Sequence, residues 1–282
     1  SALNGLSEMK KFRTKILKID PPGGKIKLLV LSPDYADVSP SPGVLWIHGG
    51  GYFTGMPGMA YFSRARDLVE KHGAVVVSPD YRLAFRAPYP AALYDCHTTL
   101  VWLRDHSKEL GIRSDQLIVA GESAGGGLAA ALCMYEKDTG GVKVAFQLPL
   151  YPMLDNEETE SSRDNHAPVW NTRRNHFGWK VYLHGLHGEV PCYAAAARRR
   201  DYSDLPPAYT FVSTNEPFYS ETVAFVENLR KAGVPAEIDI YPGLFHAFDM
   251  LKPSLEVSRN AAERFNEWVG AALERYFAKQ ES

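Results

Sequence analysis

A histidine and three consecutive glycines, His48-Gly49-Gly50-Gly51 in the stretch WIHGGGYFTG, stand directly after a short apolar run. Glycine loses more backbone freedom on folding than any other residue, so three in a row must do something that side chains would forbid. Such a loop has two chemical uses: its N–H groups can cradle a phosphate, or they can face the oxyanion that forms during acyl transfer. A phosphate loop of the Walker kind runs on into Lys and Ser or Thr, and Tyr52, Phe53 and Thr54 do not supply that ending. The phosphate reading fails on the residues themselves.

A second stretch, GESAGGG over 121–127, matches G-x-S-x-G, the sharp strand-to-helix turn that exposes a serine between small residues. Ser123 is then a candidate nucleophile at a helix N-terminus, where the dipole favours negative charge. Taken alone, the pentapeptide equally fits an ordinary helix start with Ser123 as its N-cap. The glycine loop shifts the balance, because acyl transfer needs both parts: donors from the HGGG loop and another from Ala124, the residue after the serine.

A serine nucleophile needs a base and an acid. His246, in YPGLFHAF, lies just beyond the last predicted strand, where ligands of open α/β sheets gather. His48 is the rival, but it precedes the glycines and is better placed to brace their loop. His166, His176, His184 and His187 fall in an irregular stretch without an H-E-x-x-H helix, so no metal site is expected. Glu216, in TNEPF after the strand PAYTFVS, is the chosen acid, in a loop one strand before the histidine. Its plain alternative is a helix-start glutamate complementing the dipole. Asp155, early in the chain, and Asp239, in mid-strand, are the substitutes.

The elements that must position these residues alternate. FRTKILKIDPPGGKIKLLVL (12–31) reads as an antiparallel hairpin around a Pro-Pro-Gly-Gly turn. Apolar strands follow at 43–47, 74–80, 116–121, 144–151, 207–213 and 236–242, with helices between most of them and a terminal helix whose Val257, Ala261, Phe265, Trp268, Ala272 and Tyr276 share a face. Strands separated by helices imply right-handed crossovers and a mostly parallel sheet. Residues 152–205 lose the pattern and read as a partly helical excursion over the sheet, within a single domain spanning 1–282.

With 282 residues, 45% of them hydrophobic, the chain can fill one large core, and a net charge of −2 gives no sign of a nucleic-acid or anionic-membrane partner. The one basic run, Arg198-Arg199-Arg200, reads as a solvated face. Three scattered cysteines suggest neither a disulfide framework nor a zinc site, and a reducing, cytoplasmic setting is expected. The opening residues lack the apolar core of a secretory signal.

These motifs, with SPDYRLA (78–84), YPAALYD (89–95), DLPPAY (204–209) and AGVPAEIDIYPGLFHAF (232–248), closely resemble the hormone-sensitive-lipase-like branch of the α/β-hydrolases, the HGGG and GxSxG bacterial carboxylesterases and acetyl esterases. The resemblance runs from about residue 27 to the terminal helix. It implies an α/β-hydrolase fold, a mostly parallel central sheet flanked by helices with a small, partly helical cap. It also implies carboxylic-ester hydrolysis with Ser123 as nucleophile, His246 as general base and then acid, and Gly50, Gly51 and Ala124 as oxyanion donors, with no metal or organic cofactor. Two departures stand out: the usual acid of the family is aspartate where NEPF offers Glu216, and the segment before the glycine loop is shorter than in many relatives.

With that thin cap, residues 155–190 form the main lid, and Trp170, Phe177 and Trp179 are its packing or pocket aromatics. Phe53 and Tyr81 are further candidates to line the pocket. No long apolar tunnel is evident, so acetyl to butyryl esters are the expected substrates. The resemblance also implies pairing into a homodimer through an edge strand. An amidase or peptidase using the same triad, and a non-catalytic ligand-binding receptor on the same fold, are the competing readings; retention of His246 weighs against the receptor.

Overall fold

Period-2 alternation along one buried strand sets the layers. In β3 (Ser41–Ile47) the residues from Gly43 onward are all buried. Val44 and Trp46 face one helical layer, while Leu45 and Ile47 face the other, because successive side chains of a pleated strand point to opposite faces. A strand buried on both sides must read as a continuous apolar run, which is why VLWI carries no polar residue.

The computed structural model describes residues 12–21, 23–34 and 40–280. Its other strands are β1 (Phe12–Ile19), β2 (Ile26–Pro33), β4 (Val75–Pro79), β5 (Ile112–Glu122), β6 (Phe146–Leu150), β7 (Ala208–Ser213) and β8 (Ala236–Tyr241). They form one sheet in the order β1-β2-β4-β3-β5-β6-β7-β8. The pairings β1–β2 and β2–β4 are antiparallel and the rest parallel. The expected hairpin is present, with Phe12 opposite Pro33 and Ile19 opposite Ile26. Gly24 N–H closes its turn on Pro21 O at 3.0 Å. Pro22 of that turn, and residues 1–11 read above for a leader, lie outside the described residues.

The helices are α1 (Arg64–His72), α2 (Ala91–Asp105), α3 (Ser107–Leu110), α4 (Ala124–Thr139), α5 (Thr172–Tyr182), α6 (Tyr219–Lys231), α7 (Phe248–Leu251) and α8 (Glu256–Arg275). Leu93, Cys96 and Leu100 of α2 and Leu128 and Leu132 of α4 pack on Leu45, Ile47 and Val119. On the opposite face Leu68 and Val69 of α1 and Phe265, Trp268 and Val269 of α8 pack on Val44, Trp46 and Ile118. Each fully buried side chain of this size contributes about 1.5–3 kcal/mol, enough to fix which face of every strand looks where.

Strand β5 begins four residues earlier than its apolar run, because Ser41 pairs with Ile112 and donates its N–H to Gly111 O at 2.9 Å. The excursion after β6 contains α5, started by Asn171 Oδ1 accepting from Arg174 N–H at 3.1 Å, and a 3-10 turn at Ala196–Arg198. Of the basic run, Arg200 is exposed as expected, but Arg198 and Arg199 do not form a solvated face. Arg199, only 9% exposed, donates to Asp138 Oδ1 at 2.8 Å, and Arg198 pairs with Asp155 and Glu157. The Arg199 pair ties the end of the excursion to α4, and the Arg198 pairs tie it to the excursion's own start. Cys96, Cys133 and Cys192 are all free, and among the described residues no helix is long and apolar enough to cross a membrane.

Candidate active site

The parallel strands present their C-terminal ends along one edge, with Ile47 level with Gly121 and Ser213 level with Tyr241. Ser123, His246, Glu216 and His48 each follow one of these ends. Ser123 occupies the single residue between β5 and α4, at φ 57° and ψ −122°. This backbone conformation is costly for any residue with a Cβ and persists only where its surroundings enforce it. They do so through three hydrogen bonds: Ser123 N–H donates to Leu150 O at 3.0 Å, and Ser123 O accepts from Gly127 N–H at 3.0 Å and Met153 N–H at 2.9 Å. The turn is tight enough that a Cβ on Gly125 would stand 2.1 Å from Ile47 O. Glycine there is a packing requirement.

His246 Nε2 lies 2.9 Å from Ser123 Oγ, and His246 Nδ1 makes a short hydrogen bond to Glu216 Oε2. Glu216 Oε1 accepts from Ser213 N–H at 2.8 Å. Both carboxylate oxygens therefore face donors, which puts the imidazole proton on Nδ1 and the Nε2 lone pair toward the serine hydroxyl. Tyr151 and Phe218 stand edge-on to the imidazole at 5.1 and 5.0 Å and fix its plane. Ser213 Oγ accepts from Leu244 N–H at 2.9 Å and so ties the end of β7 to the histidine loop. The substitute acids lie elsewhere: Asp155 is held by Arg198 and by Glu157 N–H, and Asp239 by Tyr209 Oη–H.

The glycine loop crosses beside this relay. Gly50 and Gly51 have φ of 120° and 61°, and a Cβ on Gly50 would meet Thr54 O at 2.1 Å. The turn closes with Phe53 and Thr54 N–H on Gly50 O, at 3.2 and 3.0 Å, so its own bonding does not consume the N–H groups of Gly50 and Gly51. Ala124 opens α4, and its N–H is one of the helix-end donors that no carbonyl of the same helix can reach.

His48 braces the loop, as its place before the glycines suggests. It is fully buried, with Nδ1 donating to Gly49 O at 2.8 Å. Tyr81, expected to line the pocket, instead lies under the loop. It is 1% exposed, stacked on His48 at 4.2 Å, with its hydroxyl donating to His48 O at 2.9 Å. Past β4 the strand alternation that would place a side chain has ended, and the aromatic ring turns to the core. Burial lowers the His48 pKa from 6.5 to about 4. The unfolded chain therefore takes up this proton first, and stability present above pH 6.5 is lost as the pH falls toward 4. Between pH 7 and pH 5 the wild type should lose about 2 kcal/mol more than His48→Asn, at about 1.4 kcal/mol per unit. Urea unfolding of both at the two pH values reads this directly; equal losses would exclude His48 as the source.

Phe53 and Trp170 do stand at the site. A Cβ on Gly51 would fall 2.2 Å from Trp170 Cη2 and 2.9 Å from Phe53 Cε1, and the Trp170 ring is 6.4 Å from the imidazole. Trp179 packs in the core against Tyr52, which itself stacks on Tyr182 at 3.9 Å. Three buried acids around the site escaped the sequence reading. Glu221 accepts from Leu154 and Asp155 N–H at 2.7 and 3.2 Å, holding the segment that carries Met153 under the serine turn. Glu122 and Asp249 lie beside Ser123 and after His246, Asp249 in an ion contact with Arg64 at 3.3 Å. Burial, reinforced by their mutual repulsion at Glu122 and opposed by Arg64, holds both carboxyls above the usual range. Only the x of G-x-S-x-G marked Glu122, and the motif leaves that position free. No group of side chains suited to a metal ion occurs among the described residues.

Residues 44–250 match the alpha/beta hydrolase fold family. Esterase LipI of Mycobacterium tuberculosis is 32% identical over 84% of this chain and 75% of its own length. Carboxylesterase NlhH of the same species is 33% identical over 73% of this chain and 66% of its own. Among solved structures, a bacterial heroin esterase superposes with a TM-score of 0.89 at 31% identity, covering 96% of this chain and 89% of that one. Esterase LipW from Mycobacterium marinum gives 0.88 at 28% identity, over 96% and 85%.

Proposed function

The chain belongs to the α/β-hydrolase family, in its hormone-sensitive-lipase-like branch, and is a carboxylic-ester hydrolase; from that premise we propose that it cleaves short-chain acyl esters, acetyl to butyryl, through an acyl-enzyme on Ser123. The observation that carries this reading is the Ser123 Oγ to His246 Nε2 distance of 2.9 Å, with Nδ1 engaged by Glu216. Ser123 Oγ attacks the ester carbonyl while His246 Nε2 takes its proton. The oxyanion is received by the N–H groups of Gly50, Gly51 and Ala124. Losing one donor of this kind costs about 3–4 kcal/mol of transition-state stabilisation. His246 then protonates the leaving alcohol, and water repeats the sequence on the acyl-serine.

Limited room supports the short acyl group. Trp170 stands directly over Gly51 and closes the space above the glycine loop that faces the acyl carbonyl. Hydrolysis of p-nitrophenyl acetate, butyrate and octanoate tests this: kcat/KM should fall by about tenfold or more from butyrate to octanoate, the scale set by a few methylenes without a pocket. Comparable values on acetate and octanoate would overturn the chain-length reading. Mass spectrometry of enzyme acid-quenched with p-nitrophenyl butyrate and then digested should find a butyryl adduct on the Ser123 peptide, and its absence during a pre-steady-state burst would overturn the covalent step.

A further inference from the structure

Three phenylalanines from separate segments meet beside the glycine loop. Phe53 belongs to the loop, Phe85 to the connection between β4 and α2, and Phe177 to α5. Phe53 meets Phe177 edge to face at 5.1 Å between ring centroids and Phe85 at 5.5 Å, while Phe85 and Phe177 are 6.0 Å apart. Aromatic clusters of this geometry normally fill cores. Here Phe85 is 64% and Phe177 45% exposed, so the rings hold one another in place and keep surface in water. Contiguous apolar surface of that kind on a soluble protein marks a place where something binds.

Its position specifies what binds. The rings continue inward, Phe53 to Trp170 at 6.3 Å and Trp170 to the imidazole of His246 at 6.4 Å. An aromatic path thus runs from the imidazole out to solvent. If His246 Nε2 returns its proton to the leaving oxygen, the alcohol half of the ester lies on the imidazole side of the acyl carbon and meets this path first. An aliphatic alcohol gains area burial there, whereas a flat ring gains edge-to-face or offset stacking as well. We propose that Phe53, Phe85 and Phe177 form a specificity site for the alcohol half of the substrate, selecting esters of aromatic alcohols. The inference rests on the serine-esterase reading above and narrows its substrate class.

The test compares 2-phenylethyl acetate with 2-cyclohexylethyl acetate by kcat/KM. The two share an acyl group, and their alcohols match in basicity and nearly in bulk, so the difference reports on the flat ring alone. The wild type should prefer the phenyl ester by about tenfold, the scale of one or two aromatic contacts. Phe85→Leu/Phe177→Leu, which keeps apolar bulk at two exposed positions where folding is not at stake, should bring that ratio to about one. A wild-type ratio near one, or a preference that survives the double substitution, overturns the proposal and leaves a Ser123-dependent esterase standing. Methyl 3-phenylpropanoate against methyl 3-cyclohexylpropanoate moves the ring to the acyl half. A preference appearing there instead would overturn the assignment to the alcohol. Failure of the wild type to hydrolyse any ester, p-nitrophenyl acetate included, would overturn the underlying reading along with this one.

Discussion

Replacing Ser123 with alanine should lower kcat on p-nitrophenyl acetate by about five to six orders of magnitude, with KM little changed, the scale measured when a serine hydrolase loses its nucleophile. The substitution is clean. Ser123 Oγ bonds His246 Nε2, while the strained turn is held by the backbone of Leu150, Gly127 and Met153. Alanine at φ 57° pays no more strain than serine does, so circular dichroism and the thermal midpoint should match the wild type. The N–H groups proposed to receive the oxyanion, those of Gly50, Gly51 and Ala124, remain, and a residual rate above water is expected from them. Because serine and histidine act as one unit, Ser123→Ala/His246→Ala should be no slower than either single variant. Retention of turnover within tenfold of wild type in Ser123→Ala would move the nucleophile elsewhere, and strictly additive losses would mean that the two residues do not act on one proton.

What could be read from the sequence, and what could not, follows from where side-chain identity is dictated locally. The glycines of HGGG and GESAG were legible as backbone constraints because the approaches they permit, 2.1 Å at both Gly50 and Gly125 for an added Cβ, exclude every other residue. The central strands were legible because burial on both faces leaves only apolar residues in VLWI and LIVA. Tyr81 and Arg199 were misread for the opposite reason. Both sit in irregular backbone, where no period of 2 or 3.6 says which way a side chain points, and each turned inward to a partner distant in sequence. α5 was legible only as a vague excursion. Its buried face is only Asn175, Gly178, Trp179 and Tyr182, too few apolar residues to show a helical period, and it packs against Tyr52 and the glycine loop rather than against the sheet. Glu216 and Glu221 illustrate the remaining limit. Both are buried acids, Glu216 in the turn before α6 and Glu221 in its first turn, and composition treats them alike. One faces the histidine and the other the backbone after β6, a division set by a turn that only the tertiary structure defines.

Glu216→Gln should lower kcat by about four orders of magnitude, the effect of the corresponding acid-to-amide change in a serine protease triad. The geometry explains why an isosteric amide would be so damaging. Glu216 offers two acceptor oxygens to two donors, Ser213 N–H at 2.8 Å and His246 Nδ1–H. Glutamine has one acceptor and one donor group. The backbone N–H cannot become an acceptor, so the amide oxygen must turn to Ser213 and the amide NH2 to His246 Nδ1. The imidazole then has to accept at Nδ1 and carry its proton on Nε2, where it meets the serine hydroxyl with no lone pair to receive a proton. The edge-on contacts of Tyr151 and Phe218 keep the ring from rotating out of this trap. Glu216→Asp keeps both acceptors but withdraws them by one methylene from a fixed imidazole, so it should retain part of the activity. The order wild type, then aspartate, then glutamine in kcat is the signature of tautomer control. If glutamine turns over at near wild-type rate, Glu216 does not orient His246 in catalysis. If aspartate is no better than glutamine, position along the relay matters more than its charge.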